Sequence, residues 1–439
     1  MMPARPTPQL LTGWGATSAT LASVVRPTSD TAVMEHVATS PGQCVARGLG
    51  RSYGDAAQLA GGTVLDMTSL QAFSLDTDSG VLRCQAGASL DAIIRACVPR
   101  GWFVPVTPGT RFVTIGGAIA ADVHGKNHHG AGSFGQHVHR MQLVTADGQS
   151  RWLTDSDQAF WATVGGMGQT GVITAAEVQM IPVRSGSVVV DTRSYRELDD
   201  LAAAMIRADA DYDYTVAWVD ATSRSLRSVL TLGNHHDQDG PLEFPRRMMT
   251  VPRWTPRVVN GASARVFNEL WYRKAPKRRD GQIMPLHSFF HPLDGVADWN
   301  RLYGRSGFLQ YQFVVPESAF DVLPMVLHQL RGIGAASAMT VLKRFGPGNR
   351  APLSFPMAGW TLTVDVSVTT PGLSRALSQL DSVVLAAGGR HYLAKDSRMA
   401  AEVLAAGYPE FGTWDKLRAE LDPEGRFRSD LFRRLSRET

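Results

Sequence analysis

Cysteine and lysine are both scarce in this sequence. Its 439 residues contain three cysteines, Cys44, Cys84 and Cys97, an odd number without CxxC or zinc-finger spacing. This usage gives no sign of a disulfide framework or a cysteine-rich metal site, and it favours a reducing compartment. The lysines are Lys126, Lys274, Lys277, Lys343, Lys395 and Lys416, among 44 basic residues in total. A lysine kept in such an arginine-rich chain is of interest, because it carries a compact titratable charge that arginine lacks.

Long apolar runs are also missing. No segment approaches the roughly 20 apolar residues of a membrane span, and the N-terminal stretch lacks the apolar core of a signal peptide. We therefore expect a cytoplasmic protein or one peripheral to the inner membrane, and a periplasmic site stays open. The net charge of +4 is small for this length, which argues against nucleic acid, although a pI near 9.0 suits an anionic ligand.

The first half of the sequence alternates short apolar runs with glycine turns, which predicts short strands. One helix is expected among them, because Ser89 can cap the run 90–98 and Pro99 with Gly101 can end it. Asp147-Gly148 predicts a two-residue hairpin turn.

The second half predicts a layer of strands and helices. Helices are expected over 317–331 and 373–384, whereas the proline- and arginine-rich passage 239–283 predicts a mobile loop region. The strand-like stretch "GWTLTVDVSV" has an apolar face of Leu362, Val364, Val366 and Val368 opposite a polar face of Thr361, Thr363, Asp365 and Ser367. Such a polar face suits a ligand site or solvent, and both interpretations stay open.

Three glycine-rich loops interrupt the strands of the first half. The loop "ARGLGRSYGD" has glycines at 48, 50 and 54, one residue too long for the GxGxxG of a Rossmann turn, and no helix pattern follows it. Consecutive backbone N–H groups in such a turn can still hold phosphate oxygens. With similar loops at Gly109, Gly116 and Gly117 and over 165–171, the pattern predicts a large phosphorylated cofactor.

Longer motifs carry a family resemblance. The segments "ARGLGRSYGD", "PGTRFVTIGGAIAADVHGKNHHGAGSFG", "FWATVGGMGQTGVI", "GFLQYQF", "KRFGPGNRAPLSFPMAGW" and "YLAKDSR" occur in order along nearly the whole chain. They resemble the decaprenylphosphoryl-β-D-ribose 2′-oxidase family, within the vanillyl-alcohol-oxidase, or PCMH-type, superfamily of FAD enzymes. The resemblance implies oxidation of the ribose 2′-hydroxyl to a ketone by hydride transfer to FAD. It also implies a pathway partner, an NADH-dependent short-chain keto-reductase that completes the epimerisation for cell-wall arabinan.

The resemblance implies an α+β, two-domain PCMH-type FAD-binding fold. Residues 1–188 and 390–439 would form the FAD-binding domain, and residues 189–389 an inserted substrate domain built on an antiparallel sheet covered by helices. The expected FAD-binding residues are Ala46, Arg47, Gly48, Leu49, Gly50, Arg51, Ser52, Tyr53, Gly54, Asp55, Ala56, Gly109, Thr114, Ile115, Gly116, Gly117, Ala121, Asp122, Val123, His124, Ile173 and Tyr392.

The resemblance also implies three catalytic candidates. Lys395 is expected beside the flavin ring and the substrate hydroxyl, where an ammonium would stabilise reduced flavin, although a salt bridge to Asp396 or another carboxylate is the alternative role. Tyr53 is expected to pack on the flavin, and His124 to hydrogen-bond near the ring or the substrate. The expected substrate-binding residues are Lys126, Gln310, Gln312, Lys343, Thr361, Thr363 and Lys395.

The sequence departs from its relatives at two places. Many members of the superfamily attach FAD covalently through a histidine in the first glycine loop, where this sequence has Arg51, so we expect non-covalent FAD. On the strand "TLTVDV", Thr363 replaces a cysteine of the mycobacterial enzymes, and Thr361 replaces an asparagine. Hydride transfer needs no thiol, but nitroaromatic inhibitors that capture that cysteine should form no adduct here.

Other functions fit parts of the pattern. A sugar-alcohol or aldonolactone oxidase is the alternative within the superfamily, and a non-catalytic lipid-phosphate carrier would keep the fold. Asp122, His124, His128 and His129 could suggest a metal hydrolase, but histidines in a glycine-rich loop more often make hydrogen bonds, and HExxH is absent from the sequence. The basic segment from Lys274 to Arg279 is interpreted as a lid that meets a polyprenyl-phosphate headgroup or an anionic membrane, or as a solvated loop.

Overall fold

A computed structural model describes residues 7–241 and 249–436. Its first elements are β1 (Thr7–Thr12), β2 (Ala19–Val25), α1 (Asp30–Thr39), β3 (Cys44–Arg47) and β4 (Thr63–Asp66). The four strands form a sheet in the order β1-β2-β4-β3, in which β4 runs parallel to β2 and β3. Residues 48–62, all described, form no helix, so the exclusion of a Rossmann turn is confirmed.

A second sheet follows along the chain. Its segment contains β5 (Phe73–Leu75), β6 (Val81–Gln85), α2 (Leu90–Cys97), β7 (Trp102–Phe103), α3 (Ile115–Ala120), α4 (His128–Ala131), β8 (Val138–Val144), β9 (Ser150–Thr154), α5 (Gln158–Thr163), β10 (Val172–Gln179) and β11 (Ile181–Pro182). Five strands pair in the order β5-β6-β10-β8-β9, and β7 pairs with β11. The helix predicted after Ser89 is confirmed, because the Ser89 side chain accepts a hydrogen bond from Ala92 N, and Gly101 follows with φ 81°.

The largest sheet lies in the second half of the chain. This part contains β12 (Ser187–Tyr195), α6 (Leu198–Ala208), β13 (Tyr214–Val219), β14 (Ser228–His235), β15 (Met249–Thr250), α7 (Gly261–Lys274), β16 (Arg278–Pro285), α8 (Leu286–Phe290), β17 (Val296–Ala297), β18 (Phe308–Val315), α9 (Val322–Gly332), β19 (Thr340–Phe345), β20 (Gly359–Ser367), α10 (Leu373–Ala386) and β21 (Arg390–His391). Eight strands pair in the order β16-β12-β14-β13-β19-β20-β18-β21, and the short β15 and β17 pair with each other.

The eight-stranded sheet buries one apolar face under helices. Leu362, Val364 and Val366 of β20 pack in one core with α6, α9 and α10. The helices predicted over 317–331 and 373–384 are present as α9 and α10, although α9 begins only at Val322. The helix α10 buries its predicted apolar stripe. Because the apolar side chains of β20 face the helices, its alternate polar side chains face the interior on the opposite side of the sheet.

The C-terminal segment returns to the first two sheets. It contains α11 (Ala401–Gly407), α12 (Phe411–Leu421) and α13 (Asp430–Leu435). Cys44 of β3 donates its N–H to Arg426 O at 2.8 Å and accepts at its own carbonyl from Arg428 N at 3.1 Å. Trp414 of α12 donates its indole N–H to Ala162 O at 2.9 Å. These bonds join the end of the chain to the part that contains the glycine loops.

The prediction of a two-residue hairpin turn is wrong in detail. The hairpin between β8 and β9 is present, but Ala146 precedes Asp147 and Gly148 inside the Thr145–Gln149 hydrogen bond, so its turn is longer than two residues. Gly148 has φ 74°, a conformation that glycine adopts without strain, and it follows Asp147 as the third residue of the turn.

The passage 239–283 is not a structureless loop where the structure describes it. Asn260 caps α7 by accepting from Ala262 N and Ser263 N, and β16 follows at the edge of the eight-stranded sheet. Proline- and arginine-rich flanks conceal this local helix signal in the sequence. Residues 242–248 of the passage lie outside the described residues. Within the described ranges, the structure has no helix of the length and apolarity needed to cross a membrane.

Candidate active site

A cavity of about 830 Å³ lies between the glycine loops and the polar face of the eight-stranded sheet. Its volume falls in the range of ligand pockets, roughly 300–1,000 Å³. Of the expected FAD-binding residues, its wall includes Ala46, Arg47, Gly48, Leu49, Gly50, Arg51, Ser52, Tyr53, Ala56, Gly109, Thr114, Gly116, Gly117, Ala121, Val123, His124, Ile173 and Tyr392. Of the expected substrate-binding residues, it includes Lys126, Gln310, Gln312, Lys343, Thr363 and Lys395. The structure therefore brings both groups to one cavity.

The first glycine loop presents a row of backbone donors. In the described part of the chain, the N–H groups of residues 48–52 have no protein hydrogen-bond acceptor. Gly50 has φ 65°, which turns the backbone at this point, and Gly109 has open space where a Cβ would lie. Unpaired N–H groups in a turn on a cavity wall suit the oxygens of a diphosphate. The residues present thus fit FAD.

Lys395 and Tyr53 meet at the inner end of the cavity. Tyr53 donates its backbone N–H to Ala394 O at 2.9 Å, and Lys395 Nζ lies 3.8 Å from the centroid of the Tyr53 ring. Burial lowers the pKa of Lys395 to about 7, although the nearby Asp365 carboxylate acts in the opposite direction. The salt bridge to Asp396 that was the alternative role does not form, because Asp396 pairs with Arg434 at 2.8 Å.

A glutamine joins the strands β18 and β20 beneath this pair. Gln310 lies directly opposite Asp365 in the sheet register, and its Nε2 donates to Asp365 Oδ1 at 2.5 Å. The same Nε2 lies 3.2 Å from the Tyr53 hydroxyl oxygen. Burial raises the pKa of Asp365 to about 7. Asp365 belongs to the predicted polar face of the strand but is not among the expected site residues. Its alternation with Thr363 along the strand is the sequence signal that places it on that face.

His124 lies between Gln312 and Lys343. Gln312 Nε2 is 3.1 Å from His124 Nε2, and Lys343 Nζ is 3.0 Å from His124 Nδ1. Burial and the neighbouring charges hold the pKa of His124 well below its usual 6.5, so its ring is neutral. A neutral imidazole has one N–H, so the amide and an ammonium cannot both donate to it. Either Lys343 accepts as an amine, or the Gln312 amide presents its oxygen.

Three of the scarce lysines line this cavity. Burial lowers the pKa of Lys126, Lys343 and Lys395 to about 7 each. Lys126 donates to Phe289 O, and its Nζ lies 4.3 Å from the Phe289 ring centroid. Cations crowded in a buried cavity favour an anionic ligand, which would restore their charge.

Four expected FAD-binding residues do not line the cavity, and each of them has structural contacts: Gly54, Asp55, Ile115 and Asp122. Gly54 packs against the segment of Lys395, and a Cβ there would lie 1.9 Å from Asp396 O. Asp55 pairs with Arg434 at 3.0 Å. Ile115 is fully buried in the core beneath the five-stranded sheet. Sequence spacing could not separate these positions from their cavity-lining neighbours, because side chains in one loop point in different directions.

The fourth of these residues, Asp122, fixes the loop that follows α3. It is fully buried with φ 39°, and its oxygens accept from Ser133 Oγ and Gly135 N at 2.9 Å each, Asn349 Nδ2 at 2.7 Å and Ser354 Oγ at 2.5 Å. Four donors hold both carboxylate oxygens, so Asp122 fixes the loop that carries His124.

Thr361 is an expected substrate-binding residue that does not line the cavity. Its Oγ1 donates to Phe313 O at 2.9 Å and accepts from Gln312 Nε2 at 3.3 Å. Thr361 therefore lies behind Gln312 and supports that side chain. Only the alternate polar positions further along β20, Thr363 and Asp365, line the cavity.

The histidines of the loop do not converge on a metal. His129 Nε2 lies 2.9 Å from Tyr212 O, and His128 packs on the Phe345 ring with centroids 4.4 Å apart. In the described ranges, no three His, Cys, Asp or Glu side chains are grouped to hold a metal ion.

Aromatic side chains of the wall were missed from the sequence. The Arg51 guanidinium lies 4.0 Å from the Trp14 ring centroid and 5.7 Å from that of Phe112. Phe267 and Trp271 of α7 line the opposite end of the cavity, from the passage that was expected to be a loop. No local motif marks these residues, because only the folded chain brings them to the cavity.

Comparisons with known proteins agree with this geometry. A family model described as FAD binding domain matches residues 21–154, and one described as D-arabinono-1,4-lactone oxidase matches residues 310–435. The chain is 43% identical to a decaprenylphosphoryl-beta-D-ribose oxidase of Mycolicibacterium smegmatis, over 98% of each chain. It is 36% identical to an uncharacterized protein in the mprA 5′ region of Streptomyces coelicolor, over 79% of this chain and 99% of that one. It is 24% identical to an alditol oxidase of a Streptomyces species, over 97% and 98%.

The glycine-loop cavity and the matching FAD-binding model define an FAD-dependent oxidoreductase that acts on CH–OH groups, with the expected α+β, PCMH-type fold. The 43% identity over 98% of each chain identifies the family within this class. The chain belongs to the decaprenylphosphoryl-β-D-ribose oxidase family.

Proposed function

We propose that this enzyme oxidises the ribose 2′-hydroxyl of decaprenylphosphoryl-β-D-ribose to the 2′-ketone. The observation that carries this proposal is the apolar part of the cavity wall, which includes Val216 and Trp218 of β13, Met339 and Val341 at β19, and Phe267 and Trp271 of α7. A prenyl chain would bury this surface, at roughly 25 cal/mol per Å² of apolar area. A free alditol or aldonolactone would leave it without a partner.

The charge of the cavity supports a phosphorylated substrate. Lys126 and Lys343 line the same cavity as Lys395, and burial lowers their pKa values. A phosphodiester beside them would favour their protonated forms and offset part of their desolvation. In the proposed complex, the ribose lies beside Lys395, the phosphate beside Lys126 and Lys343, and the prenyl chain along α7.

The reacting end of the cavity supports oxidation of a secondary alcohol. Bound FAD supplies the acceptor for the hydride that leaves the carbinol carbon. Lys395 stabilises the negative charge that develops, and Tyr53 holds the Lys395 side chain over its ring. His124 holds the Gln312 side chain, which orients the sugar by a hydrogen bond. Tyr53, His124 and Gln312 are themselves buried, so little of this wall is open to solvent.

FAD binding is proposed to be non-covalent. Arg51 lies on the cavity wall in the first glycine loop, where relatives with attached flavin have histidine, and a guanidinium is a poor nucleophile. Cys44, Cys84 and Cys97 are buried, and none of them is among the residues that line the cavity in the described chain.

We also propose the division into an FAD-binding domain and a substrate domain that the resemblance implies. Residues 1–188 and 390–439 would bind FAD, and residues 189–389 would bind the substrate. The hydrogen bonds of Cys44 with the C-terminal segment support the joining of the two ends. The strand β21 pairs with β18, so the C-terminal part also extends the substrate sheet at the proposed boundary.

The exposed face of α7 supports a peripheral contact with an anionic membrane. Val266 and Leu270 are 60% and 63% exposed beside Phe267 and Trp271, and the exposed Lys274 lies at the end of the helix. An apolar helix face with basic residues at its end binds at the lipid headgroup boundary. We expect co-sedimentation with anionic vesicles that a Leu270→Glu substitution weakens, and equal binding by both proteins would contradict the contact.

The keto product requires a second enzyme to complete an epimerisation. A short-chain reductase that uses NADH is the proposed partner, because returning a hydride to the opposite face of the ketone yields the arabinose epimer for cell-wall arabinan. Co-incubation of the two enzymes with substrate should convert ribose to arabinose, whereas this enzyme alone should stop at the ketone.

Anaerobic bleaching of the flavin tests the main proposal. A prenylphosphoryl ribose should reduce the bound flavin, whereas xylitol and D-arabinono-1,4-lactone at equal concentration should not. Joint replacement of Phe267 and Trp271 by serine should raise KM for the prenylated substrate about tenfold or more. Trp254→Ser is the matched control, because Trp254 is 78% exposed and is not among the lining residues of the described chain. Bleaching by the free alditol instead would favour the alditol oxidase function.

A further inference from the structure

Three carboxylates line the cavity: those of Asp294, Asp298 and Asp365. Asp294 accepts from Arg111 N at 2.9 Å and lies 3.6 Å from the Arg111 guanidinium, and Asp298 pairs with Arg301 at 2.8 Å. In the described chain, no cationic side chain lies within 4.0 Å of Asp365. Asp365 is therefore the cavity carboxylate that is not held in an ion pair.

The contacts of Asp365 leave one of its oxygens available. Oδ1 accepts from Gln310 Nε2 at 2.5 Å, and Oδ2 has no hydrogen-bond partner among the described residues. The residue is 1% exposed and sits on the cavity face of β20 next to Thr363. An unpaired carboxylate oxygen on a cavity wall can accept a hydrogen bond from a ligand hydroxyl.

Tyr53 and His124 are poor proton acceptors in this cavity. The Tyr53 hydroxyl oxygen accepts from Gln310 Nε2 at 3.2 Å, and burial raises the pKa of Tyr53 well above 10, so Tyr53 keeps its proton. Both ring nitrogens of His124 are engaged by Gln312 and Lys343. Lys395 serves as a cation in the proposed function.

We propose that the Asp365 carboxylate accepts the hydroxyl proton of the substrate. This inference rests on the proposed function. In the balanced step, the C–H bond breaks and its electron pair leaves as hydride, for which bound FAD would supply the two-electron acceptor. The O–H bond breaks, its proton passes to Oδ2 of Asp365, and the carbon–oxygen double bond of the ketone forms.

The surroundings of Asp365 suit this role. The titratable groups that face it are Tyr53 from the glycine loop, Tyr303 from the turn before β18, and Lys395 from the segment after β21. Burial raises the pKa of Asp365 to about 7, while Gln310 and Lys395 limit the rise. A base with a pKa near neutrality combines adequate basicity with a large ionised fraction.

The first test needs no substrate. Infrared difference spectra of the FAD-loaded protein, wild type minus Asp365→Asn, isolate the carboxyl signal of Asp365 during a pH titration. We expect its protonated band to disappear as pH rises through about 7. A band that persists to about pH 9 would overturn this inference but not the proposed function, because a carboxyl that holds its own proton cannot accept another.

The second test is the pH profile of anaerobic flavin reduction by a prenylphosphoryl ribose. Wild type should lose rate as pH falls through about 7, because Asp365 becomes protonated. Asp365→Asn should bind FAD normally, reduce it about 10²- to 10⁴-fold more slowly and lose this acidic limb, and Asp365→Glu should restore the limb. An Asn variant that keeps both rate and limb overturns the inference. Failure of the wild type to bleach would overturn the proposed function, and the infrared titration still decides the state of Asp365.

Discussion

Lys395 Nζ lies 3.8 Å from the centroid of the Tyr53 ring, and the backbone of Tyr53 is bonded to Ala394 next to it. The contact joins the first glycine loop to the C-terminal segment, and it holds the amine on the cavity wall. A cation over an aromatic face gains about 0.5–2 kcal/mol, which helps the buried amine to stay protonated. Tyr53 therefore acts on Lys395 as well as on the flavin.

Lys395→Met should separate binding from chemistry. The substitution keeps an unbranched side chain over the Tyr53 ring but removes the charge, so we expect FAD to remain bound. Reduction of the flavin by substrate should fall by at least about 10²-fold, because the developing charge loses its stabilising cation. Stopped-flow absorbance measures the reduction, and flavin fluorescence measures FAD retention. Bleaching at the wild-type rate would remove Lys395 from the mechanism.

The pH dependence of the rate gives a separate prediction for the same residue. The pKa of Lys395 is lowered to about 7, so its ammonium is present below this pH and is lost as pH rises through it. If the ammonium is the active form, the rate should decrease on the alkaline side, and Lys395→Arg should remove that decrease because a guanidinium stays charged. Protonation of Asp365 should lower the rate on the acidic side. The two apparent pKa values of the profile therefore belong to Asp365 and Lys395 as a coupled pair. A flat alkaline side in wild type would contradict this.

Much of the fold could be predicted from local signals. The cap at Ser89 and the apolar stripe of α10 each lie in one short segment, and the structure has both helices. The missed helix α7 has an equally local cap at Asn260, but its apolar residues face the cavity and solvent rather than a core. Its pattern therefore resembles that of an exposed segment.

The site could be predicted only in part. The resemblance marked Lys395 and the glycine loops, and alternation marked the cavity face of β20. Which polar residue of that face meets the cavity depends on the sheet register, which pairs Asp365 with Gln310 and leaves Thr361 behind Gln312. Register and loop direction are set by long-range contacts, so sequence spacing alone could not distinguish Asp365 from Thr361.

Acid denaturation should release the flavin completely. Arg51 occupies the loop position of the attached histidine in relatives, and the native cysteines are buried, with the pKa of Cys44 and Cys84 raised to about 12. After acid precipitation, FAD absorbance should appear in the supernatant, and the intact mass should equal that of the polypeptide. Arg51→His is the informative variant, since it restores the residue type that attaches flavin. Flavin in the wild-type pellet would contradict the prediction.

Gly54→Ala should disrupt the contact between the glycine loop and the C-terminal segment. The new Cβ would lie 1.9 Å from Asp396 O, so one of the two backbones must move. We expect a loss of about 1–3 kcal/mol in the free energy of unfolding and weaker FAD binding, because Tyr53 moves with the loop. Gly412→Ala in α12 is the control, as it meets no atom within 4 Å and should be neutral or slightly stabilising. Equal melting temperatures of the two variants would contradict the close packing of Gly54 against Asp396.

Thr363→Cys should create susceptibility to nitroaromatic inhibitors that capture a cysteine at this strand position in related enzymes. Thr363 lines the cavity two residues from Asp365, and its hydroxyl is a weak nucleophile at neutral pH. After turnover in the presence of such an inhibitor, intact-mass measurement should find an adduct on the variant and none on the wild type. The native cysteines give a clean background, because all three are buried and burial raises their pKa values. An adduct on the wild type, or an unmodified variant that still turns over, would show that Thr363 does not occupy the reactive position.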